Sequence, residues 1–373
     1  MSNDNTTGSH TIGNNTTRLL TYITKSPVFF DPAWQIATSI EFYFQYAVIA
    51  IGIFGTAANA LVLYALIADN ARQAKKRVIN LLITHQNLID LISCVLIVVT
   101  FSMGVRKIYL TGAFGYFLCT IFLSESAAYT AMHASVLNLV TVTIERYLKV
   151  VHPFWSKKHL KRWMIHASMM FAWVAGILLI MPPVFSSTIV QDGQCLAFHV
   201  WESKTLRMII LVTDATLLFA IPLITFIYCY SRIVVVMKRQ MRVMAGHNPE
   251  GSAQKNASQI QSQRVKWNII KTMLFVSVAF VICWFPNSIY FMIVDNTEQS
   301  TSLFIGYYPT VFLAYLNICM NPFIYAIKHD GVKDRLARLM MCHKCKRVQA
   351  VGDNSESGSN NAAGMRQTQS IRQ

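Results

Sequence analysis

Charged residues are scarce in this sequence. Of its 373 residues, 13% are Asp, Glu, Lys or Arg, whereas 54% are hydrophobic, and the mean hydropathy is +0.39. Soluble domains carry about 25% charged residues. The shortage therefore excludes the two or three soluble domains that the length alone would suggest, and it indicates an integral membrane protein.

Acidic residues are scarcer than basic residues. The chain has 17 Asp and Glu against 33 Lys and Arg, which leaves a net charge of +16. A basic excess can indicate a nucleic-acid partner. Here the basic residues lie in the connections between apolar runs, and no DNA- or RNA-binding module is recognisable. We interpret the excess as membrane topology and predict no nucleic-acid partner.

The sequence also lacks the sets of side chains that metal sites and catalysis require. Its eight cysteines do not show four-ligand zinc spacing, and Cys342, His343 and Cys345 would need a fourth ligand. His85 and His133 lie within apolar runs, where we interpret them as polar packing residues because no second ligand set accompanies them. The chain is predicted not to be an enzyme and to require no cofactor.

Long apolar runs are abundant. Seven blocks each approach or exceed the ~20 residues that cross ~30 Å of hydrocarbon as a helix. The blocks are 43–68, 78–104, 115–149, 164–185, 206–238, 264–294 and 303–327. They predict an all-α membrane protein, in which a seven-transmembrane helix bundle occupies residues 43–327.

The basic residues predict the orientation of this bundle. Most of the 33 Lys and Arg follow the first, third, fifth and seventh blocks, and such residues are enriched in cytoplasmic connections. Residues 1–42 are therefore predicted to be an extracellular tail, in which Asn5, Asn14 and Asn15 begin N-glycosylation sequons. The C-terminus is predicted to be cytoplasmic, in a multi-pass protein of the plasma membrane.

The last block is followed by two further segments. In 328–345, apolar residues recur at helical spacing with Lys and Arg between them, which predicts an amphipathic eighth helix on the membrane surface. Cys342 and Cys345 end this segment at positions suited to palmitoylation. Residues 346–373 are polar and rich in Ser, and we predict a disordered cytoplasmic tail.

A carboxylate, Asp90, lies in the middle of the second block. On insertion scales a charged residue there costs about 2.5–3.5 kcal/mol, so a cation, a proton or a hydrogen-bonding cluster must offset it. The other mid-block polar residues that could do so are Asn59, Ser135, Asn317 and Asn321. They are either hydrogen-bonding residues that join helices or a sodium or proton site.

Glu145 and Arg146 form a charged pair at the end of the third block, with Tyr147 following. A charged pair at the edge of a membrane helix is a candidate functional site by default. Proline lies inside three later blocks, as Pro222, Pro286 and Pro322, the second beside Trp284. These kinks are either hinges or packing features.

In combination, these residues resemble a rhodopsin-like, class A G-protein-coupled receptor, from the first helix through the amphipathic helix. Each motif is short, but all of them occur in order. They are Asn59-Ala60-Leu61-Val62, Leu88-Ile89-Asp90, Glu145-Arg146-Tyr147 with Pro153, Trp173, Pro222 with Tyr230, Cys283-Trp284-Phe285-Pro286 and Asn321-Pro322-Phe323-Ile324-Tyr325.

The resemblance implies a role for each motif. Cys119 and Cys195 would form a disulfide, and Arg146, Tyr230 and Tyr325 would rearrange together on activation. Asp90, Ser135, Asn317 and Asn321 would form an allosteric sodium pocket. Pro222, Val136, Phe280, Pro286 and Trp284 would transmit ligand binding. The implied partners are a heterotrimeric G protein, arrestin and receptor kinases.

The sequence departs from the family pattern at several places. The interval from Cys119 to Arg146 is two residues longer than usual, which predicts a bulge or a longer entry in the upper third helix. Gln86-Asn87 replaces the usual Leu-Ala before Asp90. Lys266 stands where many members have an acid that pairs with the arginine, so we expect Arg146 to pair locally with Glu145 and allow ligand-independent activity.

The predicted ligand pocket comprises Glu125, Ala128, Asp214, Trp284, Asn287 and Tyr315. In amine receptors the third helix carries an aspartate, whose place is taken here by Ala128 or Ser126. Tyr315 replaces the retinal-binding lysine of opsins. The acidic side chains Glu125 and Asp214 therefore favour a basic, neuropeptide-like ligand. The alternatives are a small amine or lipid, or a transporter, which would be expected to show an internal repeat that we do not find.

Overall fold

The structure is a computed structural model that describes residues 32–72, 77–197, 204–246, 253–294, 301–328, 332–333 and 337–338. Within these ranges, seven helices are long and apolar enough to cross a membrane, as predicted. The sequons at Asn5, Asn14 and Asn15 lie outside the described residues, as do Cys342 and Cys345. Most of the predicted eighth helix, 328–345, also lies outside them and stays a prediction.

Five of the seven helices are continuous. They are α1 (Pro32–Arg72), α2 (Arg77–Val105), α4 (Arg162–Ser187), α6 (Ala253–Val294) and α7 (Thr301–Lys328). The apolar blocks located all of them. The largest differences are at the starts of α1, which begins at Pro32 instead of 43, and of α6, which begins at Ala253 instead of 264. In both, helical conformation continues into sequence outside the apolar run.

The helices α3 and α5 are each interrupted by a π-helical segment. α3 consists of Gly112–Leu118, the π segment Cys119–Leu123 and Ser126–Val151. Between the last two, Glu125 adopts a left-handed conformation with φ of 62°. The predicted irregularity in upper α3 is therefore present, and it accommodates the additional residues between Cys119 and Arg146.

The helix α5 consists of Lys204–Ala215, the π segment Thr216–Ala220 and Ile221–Gly246. Pro222 is thus the second residue after the π segment. A proline cannot donate the backbone hydrogen bond that the preceding turn would use, so a wider turn just before it is physically reasonable.

A β-hairpin lies between α4 and α5. Its strands, β1 (Ile189–Gln191) and β2 (Gln194–Leu196), pair antiparallel with Val190 opposite Cys195. The turn residues Asp192 and Gly193 have φ of 52° and 75°. Cys195 forms a disulfide with Cys119, with the two Cα atoms 5.3 Å apart, which confirms that pairing and attaches the hairpin to α3.

The centre of the bundle is α3. Of its most apolar membrane-crossing stretch 67% is buried, against 17% for α4 and for α5. Apolar side chains on the outside, such as Phe171, Leu178 and Ile224, are more than half exposed, as expected for residues that face lipid. A Cβ at Gly176 of α4 would lie 2.7 Å from the Thr130 carbonyl, so glycine permits α4 to approach α3 closely. Polar side chains on α3 consequently face other helices.

Candidate functional site

Three groups of polar side chains line α3 along its length. The Asp90 cluster, in the middle, consists of Gln86, Asp90, Ser135, Asn138 and Asn321. The Asp90 carboxylate is fully buried. Its Oδ1 accepts hydrogen bonds from Ser135 Oγ at 2.8 Å and Gln86 Nε2 at 3.3 Å, and its Oδ2 accepts one from Asn321 Nδ2 at 2.7 Å. The carboxylate thereby joins α2, α3 and α7.

Two residues predicted beside Asp90 are arranged differently. Asn59 donates from Nδ2 to the carbonyls of Gly55 (3.0 Å) and Ile318 (3.2 Å), so it joins α1 to the α7 backbone. Asn317 is buried one helical turn before Asn321. Among the described residues, the hydrogen bonds to Asp90 come from α2, α3 and Asn321.

The Asp90 cluster extends to α4 through residues that sequence reasoning did not place in a site. Asn138 Nδ2 donates to Gln86 Oε1 at 2.8 Å. Asn138 Oδ1 lies 2.9 Å from His85 Nδ1, and Trp173 Nε1 donates to His85 Nε2 at 3.2 Å. The sequence feature that could have indicated this extension is the run of three polar residues, 85–87, inside the apolar second block.

The Arg146 cluster lies at the C-terminal end of α3. Arg146 Nε is 3.3 Å from Glu145 Oε2, and Lys149 Nζ contacts the other oxygen of the same carboxylate. Both Glu145 and Arg146 are buried. The predicted local contact is therefore present, while the side chain of Lys266 is not among those described.

Tyr230 connects three helices beside this cluster. Its hydroxyl lies 3.2 Å from Thr143 Oγ1 on α3 and accepts a hydrogen bond from Ser277 Oγ on α6 at 3.3 Å. Tyr147 OH is 3.2 Å from His152 Nε2, just before Pro153 begins the short helix Pro153–His159. Tyr325 is buried on α7.

Two of the predicted transmission residues, Phe280 and Trp284, lie in an aromatic cluster with Phe226 of α5. The Phe280 ring is 6.1 Å from Trp284 and meets Phe226 edge-on at 5.8 Å. Val136 is buried on α3, and the helix-interior prolines include Pro286 and Pro322. The aromatic cluster links the middle of α6 to α5.

The disulfide-side cluster consists of Glu125, Tyr129, His133, Asp214, Trp284 and Tyr315. Tyr315 OH on α7 donates a hydrogen bond to Glu125 Oε2. The Tyr129 ring lies 6.2 Å from Tyr315 and 6.4 Å from His133. The predicted pocket residues Glu125 and Tyr315 are therefore brought together, and Ala128 is buried on α3 beside them.

His133 joins the second acidic residue to this cluster. Its Nε2 lies 3.6 Å from Asp214 Oδ1, and the Asp214 side chain is 40% exposed. The His133 ring is 6.4 Å from Trp284. His133 Nδ1, Trp284 Nε1 and Asn287 Oδ1 are buried without a hydrogen-bond partner among the described residues. The sequence analysis interpreted His133 as a packing residue because no second ligand set accompanies it, whereas the structure places it against Asp214.

Comparisons with known proteins identify relatives among receptors. The family described as "7 transmembrane receptor (rhodopsin family)" matches residues 58–325. The substance-K receptor of Canis lupus familiaris is 27% identical over 330 residues, which are 85% of this chain and 77% of the relative. The human substance-K receptor is 27% identical over 79% of this chain and 70% of the relative.

Two further relatives carry other receptor names. The tachykinin-like peptides receptor 86C of Drosophila melanogaster is 24% identical, over 61% of this chain and 46% of the relative. The C5a anaphylatoxin chemotactic receptor 1 of Oryctolagus cuniculus is 24% identical, over 78% of this chain and 77% of the relative.

The matched region extends from the residue before Asn59 to Tyr325 and includes all three polar clusters on α3. Members of this family are multi-pass membrane receptors that couple to G proteins and are not enzymes. Because the match covers more than half of its length, this chain belongs to the rhodopsin family of seven-transmembrane receptors.

Proposed function

We propose that this receptor binds an extracellular neuropeptide and activates a heterotrimeric G protein. The single observation that carries the peptide assignment is the disulfide-side cluster, where two carboxylates lie among aromatic rings at one end of the bundle. The names of the relatives, which include substance-K and tachykinin-like peptides receptors, support the same ligand class.

The disulfide-side cluster favours a peptide that carries a cationic side chain. Asp214 is 40% exposed, and its contact in the bundle is a histidine at 3.6 Å, which is longer than a hydrogen bond. A Lys or Arg side chain could therefore form a charge-assisted hydrogen bond with Asp214 without displacing a strong partner. Gln191 and Asp192, exposed on the hairpin, add polar groups near the same end of α3.

The proposed topology follows the distribution of basic residues. The end that carries the disulfide faces the outside, where oxidising conditions maintain such bonds, and the Arg146 cluster faces the cytoplasm. The plasma membrane is then the proposed location, and the N-terminal sequons are accessible to glycosylation. The Ser-rich C-terminal tail is the proposed target of receptor kinases and arrestin.

Signalling in this proposal is a population shift and involves no bond-making chemistry. A ligand changes the equilibrium only by binding one conformation more tightly than the other, with couplings of about 1–3 kcal/mol. α3 connects the clusters: it carries Glu125 in its disulfide-side half, His133 and Ser135 near its middle and Arg146 towards its C-terminal end. A change in its contacts with α7 at Tyr315 can therefore bias the Arg146 end.

The test is nucleotide exchange on a G protein with the purified full-length receptor. A panel of basic neuropeptides should include one that stimulates GTPγS uptake, and Arg146→Ala should lose the response while it retains peptide binding. If a small amine or a lipid stimulates GTPγS uptake and none of the peptides does, the alternative of a small non-peptide ligand is supported. The absence of GTPγS uptake with any ligand, while substrate crosses the membrane, would favour a transporter and refute the proposal.

A further inference from the structure

A chain of side-chain hydrogen bonds runs from α4 to the buried carboxylate of α2. It begins at Trp173, passes through His85, Asn138 and Gln86, and ends at Asp90. Each of its members has a limited choice of donor and acceptor atoms. The direction of the whole chain can therefore be derived from its first member.

An indole nitrogen can only donate, so His85 Nε2 must accept the hydrogen bond from Trp173 at 3.2 Å. In a neutral imidazole the proton then lies on Nδ1, which donates to Asn138 Oδ1 at 2.9 Å. Asn138 Nδ2 consequently points the other way, to Gln86 Oε1 at 2.8 Å and the Leu82 carbonyl at 3.3 Å. The assignment of both amides follows from these partners.

The same constraint directs the Gln86 amino group at the carboxylate. Its Nε2 lies 3.3 Å from Asp90 Oδ1 and also contacts Ser135 Oγ. A flipped Gln86 would place its oxygen against the carboxylate and its NH2 against the NH2 of Asn138. Both contacts would be repulsive, so the flip is disfavoured twice.

This arrangement does not fit a sodium ion at Asp90. Hard cations are held by oxygen atoms, and Gln86 presents N–H groups to the space between Asp90 and Ser135. The second carboxylate oxygen already accepts a hydrogen bond from Asn321 at 2.7 Å. Of the three ways to offset the burial of Asp90 that the sequence left open, these contacts favour the hydrogen-bonding cluster.

We propose that the Gln86 amide takes the place of a cation beside Asp90, oriented by the hydrogen-bond chain from Trp173, and makes this receptor insensitive to sodium. Gln86 and Trp173 are thus positioning residues for the packing of α2 against α3 and α7. The proposal rests on the Asp90 cluster alone and does not depend on the ligand or on G-protein coupling.

The test is the thermal stability of the purified, ligand-free receptor in NaCl and in choline chloride at equal ionic strength. A bound cation stabilises the folded state by mass action, so wild-type protein should have the same Tm in both salts. Gln86→Leu, which removes the N–H groups, and Gln86→Glu, which replaces the NH2 by oxygen at equal size, should each gain a sodium-saturable rise of about 2–4 °C. Two variants keep the test usable if one does not fold.

Matched variants separate the parts of the proposal. Ser93→Ala removes a buried hydroxyl that, among the described residues, donates to the Ile89 carbonyl within α2, and it should stay insensitive to sodium. Asp90→Asn should abolish the gain when combined with Gln86→Glu. Trp173→Phe releases His85 and should permit a smaller sodium response.

Three results would overturn parts or all of this proposal. A sodium-saturable rise in wild-type Tm would show that the amide does not replace the cation. Insensitivity of every Gln86 variant that folds would show that Gln86 is not what excludes sodium. No response in Trp173→Phe would remove the orienting role of the chain.

Discussion

The hydroxyl of Tyr315 on α7 donates a hydrogen bond to Glu125, the residue at which α3 is broken. The bond connects a helix end that has left-handed backbone geometry to the helix that also carries Asn321. Non-glycine residues adopt such geometry at a free-energy cost of order 1–3 kcal/mol when surrounding contacts maintain it. Tyr315 is one such contact, so the break in α3 and the position of α7 are coupled.

We expect Tyr315→Phe to lower the Tm of the ligand-free receptor. Among the described residues Tyr315 is the donor to the Glu125 carboxylate, and the loss of such a hydrogen bond costs about 1–3 kcal/mol. Tyr307→Phe, two turns earlier on α7, is the matched control and should have a smaller effect. In a double-mutant cycle with Glu125→Gln the two changes should not add; strict additivity would contradict the coupling.

We expect Asp214→Asn to weaken the binding of a basic peptide by about 10- to 100-fold, because it removes a charge-assisted hydrogen bond worth about 1.5–3 kcal/mol. The measurement is competition binding with the peptide and with an analogue whose basic residue is replaced by citrulline. Wild-type receptor should discriminate between the two, and the variant should not. If Asp214→Asn weakens the binding of the citrulline analogue as much as that of the basic peptide, the effect does not arise from a contact with the basic residue.

Helix existence could be predicted here because it depends on local information. A run of about 20 apolar residues is sufficient to span hydrocarbon, and each block was found by length and composition. The pairing of Cys119 with Cys195 was correct because ordered motifs implied a known arrangement of helices. Of the residues predicted beside Asp90, Ser135 and Asn321 donate hydrogen bonds to it, whereas Asn59 and Asn317 are not among its described donors.

The partners of His133, Gln86 and Asn138 could not be predicted in the same way. In a soluble protein, apolar periodicity marks the buried face of a helix. In a membrane both lipid and the bundle interior accept apolar residues, so periodicity does not establish the rotation of α3. Which face of α3 meets Asp214 or Gln86 therefore required the structure.

We expect Cys119→Ser to lower the stability of the receptor and to abolish peptide binding. The disulfide links residues 76 apart in sequence, and loss of such a bond typically costs about 2–5 kcal/mol. Surface expression and thermal inactivation would measure this. Cys195→Ser and the double variant should behave alike, whereas Cys229→Ser, a buried free cysteine, should remain close to wild type. A functional double variant would argue against the hairpin as part of the ligand site.

The last prediction concerns the Arg146 cluster. Arg146→Ala should abolish GTPγS uptake with surface expression retained, because we propose that this buried cation at the end of α3 takes part in G-protein coupling. Glu145→Gln should raise basal uptake, since it removes the contact at 3.3 Å that holds Arg146.

Two control variants distinguish the contact between Glu145 and Arg146 from the general positive charge at the C-terminal end of α3. Lys157→Ala removes an exposed positive charge nearby and should leave both basal and stimulated uptake unchanged. Lys266→Glu introduces an acid at the position where the family resemblance implies a partner for Arg146, and we expect it to lower basal uptake in wild type and in Glu145→Gln. If Glu145→Gln leaves basal uptake at the wild-type level while Lys266→Glu lowers it, the local contact with Glu145 does not restrain Arg146. If Glu145→Gln raises basal uptake and the added Lys266→Glu change returns it to the wild-type level, the restraint on Arg146 is electrostatic. The basal activity of this receptor then depends on the negative charge available to that guanidinium.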